Sequence, residues 1–276
     1  LFWLCNITCL IDCKGLLCII KSVLIHDVDF IIICIHSLKR QSVKSKIILC
    51  TSTPSPFLEA MSKIHDIPLY VREGKSDIQD DWNFAYEKAD TRLVTIAHQD
   101  DCYHRDYAAE VKRCWARYPD TTVFTTDCAI LKGETLMRPG MIQFIKMLLR
   151  LPLRLHVLAD RTWVKKAALM FGNPIICPSC TYNKEALGAP LFDSPYKFAL
   201  DWDTMWKLAE RPGRFVCVER PLIRYRIHDG ATTKACIENH QRAADETAMY
   251  AKIWPKPVVK LLMHFYRKAY SAYEEG

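Results

Sequence analysis

The first half of the chain alternates short apolar runs with longer amphipathic segments, and this alternation constrains the fold more than any other feature. In the longer segments apolar residues recur every three or four positions, as they do on one face of a helix. Strands are predicted at residues 16–25, 46–50, 68–71, 93–97 and 122–126, and helices at 26–40, 57–64, 80–89 and 106–118. Strands that alternate with helices predict an α/β fold with a doubly wound, mostly parallel central sheet and flanking helices.

The second half is less regular. Strands are predicted at 175–182 and 214–218, an extended segment at 221–228, and helices at 203–210, 239–253 and 258–273. The run at 141–149 (MIQFIKMLL), which continues through Arg150, Arg154 and Arg161, is apolar with basic interruptions. This pattern fits a packed core helix, an insertion that covers a site or an amphipathic surface segment. We divide the chain into an unassigned segment at 1–14, an α/β domain at 15–235 with halves 15–128 and 129–235, and a helical C-terminal extension at 236–276.

Composition excludes some classes of function. Half of the residues are apolar and a quarter are charged, as in soluble globular proteins, and the net charge of +7 permits an anionic ligand or membrane surface without requiring one. No long basic run, dinucleotide-binding glycine motif or P-loop is present.

The chain begins without Met, so we expect a fragment or a displaced start, and its apolar first 35 residues are interrupted by charges. The odd number of cysteines, 13, predicts buried free thiols in a reducing compartment.

Two adjacent carboxylates follow the predicted strand at 93–97. Asp100 and Asp101 therefore lie where a buried strand emerges into a loop, which is the edge at which open α/β sheets bind ligands. Carboxylate oxygen is the preferred ligand of hard divalent cations. The alternative is that one of them caps the following helix.

Two further clusters contain side chains that could act in catalysis or bind a ligand. Asp201 and Asp203 flank Trp202 at a predicted helix start, where a carboxylate beside an aromatic wall can act as a general base or bind hydroxyl groups. The alternative for both is helix capping, which is the better interpretation of Asp203. In an extended strand Arg224, Arg226 and His228 point to one face, which suits a diphosphate. The alternative is an edge strand with solvated charges.

Taken together, these clusters resemble the inverting family-two nucleotide-sugar glycosyltransferases, which have the GT-A fold. The resemblance covers about residues 15–235, in the order expected for the family. Its motifs are CIHSLKRQ at 34–41, the strand at 46–52, DWN at 81–83, HQDD at 98–101, DW at 201–202 and RYRIH at 224–228. The chain departs from the family at Thr51-Ser52-Thr53, where an acid is usual, at His98 in place of the first Asp of DxD, and at Leu200 in place of Glu.

The resemblance implies a transfer of a sugar from a nucleotide-sugar donor to an acceptor hydroxyl, with inversion, in cell-surface or secreted polysaccharide synthesis. Asp201 is then the catalytic base, and Trp202 and Asp203 bind the acceptor. Mg²⁺ or Mn²⁺ is held by Asp101, Asp100 and His228. The residues implied to bind the donor are Thr51, Ser52, Asn83, Asp100, Arg226 and His228.

Two other functions stay open at this point. One is a degenerate, non-catalytic protein that binds sugars or nucleotides, and the other is a nucleotidyltransferase that forms sugar nucleotides. The expected partners are the nucleotide-sugar and a glycan or lipid-linked acceptor, without nucleic acid. We expect a cytoplasmic location, or a peripheral one at the inner face of the membrane through the basic helix at 258–273.

Overall fold

The computed structural model describes the backbone of residues 16–22, 28–227 and 241–274, and the side chains of residues 29–227 and 241–265. The strands are β1 (Leu16–Ser22), β2 (Lys46–Thr51), β3 (Leu69–Val71), β4 (Leu93–His98), β5 (Cys102–Tyr103), β6 (Thr121–Lys132), β7 (Thr135–Leu136), β8 (Thr181–Asn183) and β9 (Arg214–Ile227). The helices are α1 (Val28–Lys39), α2 (Pro56–His65), α3 (Ile78–Lys88), α4 (Tyr107–Arg117), α5 (Met141–Arg154), α6 (Thr162–Leu169), α7 (Lys184–Leu187), α8 (Leu200–Glu210), α9 (Gln241–Ile253) and α10 (Lys256–Glu274).

The described strands form one sheet in the order β3-β2-β1-β4-β8-β6-β9-β5, with β7 paired to β6. The first half of the chain supplies the parallel part, β3-β2-β1-β4. In the second half β8 is antiparallel to both β4 and β6, whereas β6 and β9 are parallel. The predicted α/β class is therefore confirmed, and the antiparallel pairs are concentrated in the second half.

Both faces of the sheet are buried, which explains why its strands read as apolar runs and not as alternating patterns. Successive residues of a strand point to opposite faces. Accordingly Ile48 and Cys50 enter one core cluster and Leu49 the other. The first cluster packs against helices α3, α6, α8, α9 and α10, and the second against α1, α2 and α4.

Several predicted elements differ from those of the structure. The strand predicted at 175–182 is wrong for most of its length, because residues Cys177–Ser179 form a 3₁₀ turn and β8 begins only at Thr181. Proline at 178 cannot donate to a ladder, and this favours the turn. The strands predicted at 122–126 and 214–218 each run further, because β6 and β9 pair along their length with shifts of register on both sides of Asp127.

The predicted helix at 203–210 begins earlier, at Leu200, so Asp201 and Asp203 both lie in its first turn and neither is its cap. The cysteines that the structure describes are free, and Cys34, Cys50 and Cys217 are buried as predicted. Within the described ranges, none of the helices combines the length and apolar character that crossing a bilayer requires.

Candidate functional site

The turn after β4 presents two carboxylates at the edge where the parallel strands end. β4 finishes at His98, and Asp100 and Asp101 lie in the turn that leads into β5. The backbone N–H of Arg226 on β9 donates to Oδ1 of Asp101 over 3.0 Å. Because β5 also pairs with β9, the turn is fastened on both sides and the sheet itself positions its carboxylates.

His98, Asp100 and Asp101 form a cluster suited to a metal ion. One ligand atom from each lies within 4.8 Å of the others. Asp101 is 1% exposed, and its Oδ2 accepts no hydrogen bond from the residues that the structure describes. A buried carboxylate oxygen is costly unless a donor or a cation compensates its lost hydration. Since Mg²⁺ and Mn²⁺ prefer carboxylate oxygen, the residues present fit such an ion.

The electrostatics of the turn also favour a cation. The pKa of Asp101 is raised well above its usual value, first by burial and then by the negative charge of Asp100. The N–H and the positive charge of Arg226 oppose this rise without cancelling it. A divalent cation would favour the ionised form of both carboxylates. The cluster is thus short of positive charge.

Arg226 holds this turn from behind. Its side chain is 6% exposed, Nε donates to the carbonyl of Asp100 over 3.1 Å, and a terminal nitrogen donates to the carbonyl of Gly133 over 3.1 Å. The guanidinium also lies over the ring of Phe30, 4.1 Å from its centroid. These contacts direct the side chain at the protein, so the structure places Arg226 as a support of the turn.

The structure describes one other member of the predicted cationic strand, Arg224. Arg224 pairs with Cys102 in the ladder between β5 and β9, and its side chain is exposed while that of Arg226 is buried. His228, predicted as a metal and donor ligand, lies outside the described residues.

Thr51 and Ser52, predicted to bind the donor, end β2 at the same edge of the sheet. Thr51 is buried, and its Oγ1 accepts the backbone N–H of Thr53. The hydroxyl of Ser52 donates to Oδ2 of Asp81 over 3.1 Å. The other oxygen of Asp81 accepts from Nε of Arg72 over 2.7 Å. An acid from α3 therefore reaches the end of β2.

Asn83 lies in α3 and fastens a loop. Its Nδ2 donates to the carbonyl of Phe192 over 2.7 Å, and its Oδ1 accepts the backbone N–H groups of Leu191 and Phe192. These contacts direct the amide to the 191–192 loop, although the sequence predicts a contact with the donor. Its neighbour Trp82 is buried and lies 5.3 Å from the ring of His98, so it forms a wall behind the carboxylate turn.

Asp201 lies in the first turn of α8 and is partly exposed. Its Oδ2 accepts from Nδ2 of Asn173 over 3.0 Å, and its Oδ1 accepts the backbone N–H of Trp202 over 2.7 Å. Burial raises the pKa of Asp201 to about 6, and the two hydrogen bonds and the positive charge of Lys146 oppose the rise. Asp201 is therefore ionised at neutral pH and close enough to its pKa to accept a proton.

Two ionisable groups from other helices face Asp201. Lys146 of α5 interacts with its charge, and burial lowers the pKa of this lysine. Glu246 of α9 is 5% exposed, and burial raises its pKa to about 7, with a further rise from Asp201 and opposition from Arg242. Nε of Arg242 donates to Oε1 of Glu246 over 3.2 Å. Two carboxyl groups and a cation from three helices thus interact with one another.

Trp202 and Asp203, predicted to bind the acceptor, lie behind Asp201. Trp202 is 3% exposed, and its indole N–H donates to the carbonyl of Leu169 over 3.0 Å. Asp203 is 1% exposed, with Nζ of Lys252 at 2.7 Å and Nζ of Lys207 at 3.2 Å. The structure therefore directs both side chains into the protein, where they fix α8.

Asp127 connects the carboxylate turn with the surroundings of Asp201. It lies at the register shift of β6, and its Oδ1 accepts from a terminal nitrogen of Arg150 over 2.7 Å. Burial raises the pKa of the adjacent Cys128 thiol to about 12, and the charges of Lys146 and Asp101 act on it in opposite directions. Lys146 also interacts with the charge of Asp201, so Cys128 and Asp201 share this lysine as a charged neighbour.

Comparison with known proteins identifies the architecture. No family model and no curated protein sequence matches the chain. Among solved structures, S. aureus TarS 1-349 in complex with UDP-GlcNAc superposes with a TM-score of 0.59, at 12% identity over 79% of this chain and 60% of that chain. The mannosyltransferase PcManGT from Pyrobaculum calidifontis, in complex with GDP-Man and Mn2+, gives a TM-score of 0.59 at 17% identity, over 90% of this chain and 68% of that chain. The fold is the GT-A glycosyltransferase fold.

A third structure with this fold is the glucosyl-3-phosphoglycerate synthase from Mycobacterium tuberculosis. It gives a TM-score of 0.57 at 11% identity, over 88% of this chain and 82% of that chain. Another structure of that enzyme contains Mn2+ and uridine-diphosphate. Identities this low establish the GT-A fold and not a shared activity.

Within the GT-A fold, sequence reasoning missed the groups that surround Asp201 from distant segments. These groups are Asn173, Lys146, Glu246 and Arg242. Lys146, the basic residue within the apolar 141–149 run, was a usable signal, because a lysine in an apolar helix often faces a polar site. Glu246 and Asn173 carried no local signal, since only the packing of their segments brings them close to Asp201.

Proposed function

We propose that the chain is a metal-dependent, inverting glycosyltransferase that moves a sugar from a nucleotide-sugar to an acceptor hydroxyl. The observation that carries the proposal is the cluster of His98, Asp100 and Asp101, which could hold a metal ion at the end of β4. The GT-A fold, and neighbours solved with UDP-GlcNAc and with GDP-Man, support a nucleotide-sugar as the donor.

On the donor side, Asp101, Asp100 and His98 would hold Mg²⁺ or Mn²⁺, and His228 stays a predicted ligand. The ion supplies positive charge to the diphosphate of the leaving nucleotide. Ser52 and Thr51 would face the nucleoside at the end of β2, with Asp81 taking the place of the missing acid. Arg226 holds the turn in the position from which its carboxylates would bind the ion.

On the acceptor side, Asp201 would take the proton of the acceptor hydroxyl as its oxygen attacks the anomeric carbon. Asn173 orients the carboxylate through Oδ2, and Lys146 favours its ionised form. A single displacement with attack opposite to the leaving group inverts the anomeric centre. Glu246 and Arg242 would bind further hydroxyl groups of the acceptor, and the proposed context is polysaccharide synthesis at the cytoplasmic side.

The test is a donor screen that measures nucleoside diphosphate release. The full chain is incubated with UDP- and GDP-linked sugars and candidate acceptors, in the presence of Mn²⁺ or of EDTA. We expect release that depends on acceptor and metal, with an inverted linkage in the product by NMR. Full turnover in EDTA would refute the metal role, and a retained linkage would refute the inverting mechanism.

The same screen separates the two other functions. A non-catalytic binding protein would be stabilised against heat by a nucleotide-sugar but release no nucleotide with any acceptor. A nucleotidyltransferase would instead release pyrophosphate from a nucleoside triphosphate and a sugar 1-phosphate. Each of these results would replace the proposal.

A further inference from the structure

The outward side of α5 is apolar, which is the reverse of an ordinary surface helix. Its exposed side chains share one 120° arc of the helix at about 100° per residue. They are between 42% and 72% exposed and comprise Met141, Phe144, Ile145, Leu148, Leu151 and Leu155. We call this surface the outer α5 face.

The inward side of the same helix carries charged side chains beside Leu153, which is fully buried in the first core cluster. Arg150 is 3% exposed and donates to Asp127 and to the carbonyl of Pro174, and Lys146 interacts with Asp201. The usual arrangement buries the apolar stripe and exposes the charges. In α5 the charged side chains of Arg150 and Lys146 interact with groups inside the protein, and the apolar stripe faces outward.

Exposed apolar side chains also precede and follow the helix in the sequence. Leu136 and Met137 precede it and are 51% and 47% exposed. Val157 and Trp163 follow it and are 79% and 63% exposed. Contiguous apolar surface of this extent is unusual for a monomer and marks an interaction site.

The charges around this surface determine the kind of partner. From residue 136 to residue 159 the sequence contains no acidic residue. Arg138 is exposed just before α5, and the Arg161 side chain is 65% exposed after it, beside Asp160. Apolar side chains bordered by arginine match the acyl boundary and the negative headgroups of an anionic membrane. A second copy with the same positive border would be repelled.

We propose that the outer α5 face seats the protein on the interface of an anionic bilayer, with the helix axis parallel to the membrane. A helix of 14 residues is about 21 Å long, which is less than the ~30 Å of a hydrocarbon core. It therefore lies in the interface. Trp163 occupies the position at which indole rings favour the boundary between headgroups and acyl chains.

Docking in this way would bring the acceptor side close to the membrane. Lys146, on the inward side of the same helix, interacts with Asp201, and a helix with its side chains is about 10–12 Å across. This consequence, unlike the binding itself, rests on the proposed function. It favours an acceptor carried on a lipid.

The test is flotation of the full chain with vesicles, either of phosphatidylcholine alone or of equal parts phosphatidylcholine and phosphatidylglycerol. We expect binding to the mixed vesicles. The double variant Ile145→Glu with Leu148→Glu should weaken it on the order of ten-fold or more, because each glutamate adds charge to a face that must enter the acyl boundary. Circular dichroism checks that the variant is folded.

The matched control is Leu261→Glu with Phe265→Glu on α10, whose side chains are 57% and 61% exposed. This pair should leave vesicle binding unchanged. Loss of binding in the α10 pair but not in the α5 pair would overturn the proposal and return the contact to the C-terminal helix. Arg138→Gln with Arg161→Gln should lower binding to the mixed vesicles by several-fold.

Two other outcomes also overturn the proposal. One is the absence of binding to either kind of vesicle. The other is a dimer by light scattering that the α5 pair converts to a monomer, which would assign the face to a second copy of the chain. Neither outcome depends on catalysis, so a failure here is distinct from a failure of the proposed function.

Discussion

The proposed donor side and the proposed acceptor side of the site are built in different ways. The carboxylates of the donor side belong to one tight turn, and β5 and β9 hold that turn through the backbone and the side chain of Arg226. The acceptor side is assembled from α5, α8 and α9, which contribute Lys146, Asp201 and Glu246. The donor side is therefore encoded almost locally, whereas the acceptor side exists only after the helices pack.

The two sides also differ in how their buried carboxylates are compensated. The donor side brings two carboxylates together in one turn, where burial and the charge of Asp100 raise the pKa of Asp101, and this suits a site completed by a metal ion. The acceptor side carries its own compensation, because Lys146 and Asn173 partly offset the cost of burying Asp201. The predictions below test this division, beginning with the largest expected effect.

Asp201→Asn should lower turnover by about 10²–10⁴-fold, because an amide cannot take the proton of the acceptor. Donor binding should be unchanged, since Asp201 lies on the acceptor side. The measurements are nucleotide release and calorimetric titration with the donor. Asp193→Asn, an exposed acid in the same half, is the matched control and should behave as the unmodified chain. Retained turnover in Asp201→Asn would remove Asp201 from the mechanism.

Asp101→Asn should lower turnover by about 10²–10³-fold through the loss of charge stabilisation on the leaving group. It should also abolish the rise in melting temperature that Mn²⁺ gives to the unmodified chain. Differential scanning fluorimetry with and without Mn²⁺ checks this second effect independently of activity. An undiminished Mn²⁺ shift in Asp101→Asn would place the metal elsewhere.

Turnover should fall as pH drops through about 6, the pKa to which burial raises Asp201. The sign follows from the role of the group, because the protonated carboxyl cannot accept a proton. Below that pH, kcat/KM should decrease about ten-fold per pH unit. Lys146→Met removes a positive charge that favours the ionised form of Asp201. It should therefore move the acidic limb of the plot of kcat/KM against pH to higher pH. A limb that stays in place would exclude Lys146 from the surroundings of Asp201.

The surroundings of Asp201 contain further titrating groups. Glu246, whose pKa burial raises to about 7, interacts with Asp201 and with Arg242. The acidic limb of the pH profile therefore reports the coupled titration of Asp201 and Glu246 and not the pKa of one residue. Glu246→Gln should simplify the profile to a single step and keep the acidic limb of Asp201.

Asn83→Ala should show the smallest effect, a loss of about 1–3 kcal/mol in the free energy of unfolding. The substitution leaves the backbone N–H groups of Leu191 and Phe192 without their acceptor. The KM for the donor should be unchanged in the folded protein, because the amide faces this loop. Urea denaturation and donor kinetics give the two quantities. A raised donor KM with unchanged stability would restore the contact that the sequence predicts.

Much of the fold could be predicted from the sequence because its signals are local. The runs at 46–50 and 93–97 are apolar on both faces, and they became the buried strands β2 and β4. The strand predicted at 175–182 failed because a short apolar run does not distinguish a strand from a buried turn. The antiparallel pairing of β8 could not be predicted either, since pairing depends on the return path of the chain.

The site divides in the same way. The sequence by itself determined the carboxylate turn and Asp201, because a strand end and a helix start fix the position of residues beside them. Only the tertiary structure decided that Arg226 supports the turn and that Trp202 and Asn83 serve the core and a loop. The same is true of the charged inner side and apolar outer side of α5. The physical reason is that the local pattern specifies which residues share a face, whereas packing decides what that face meets.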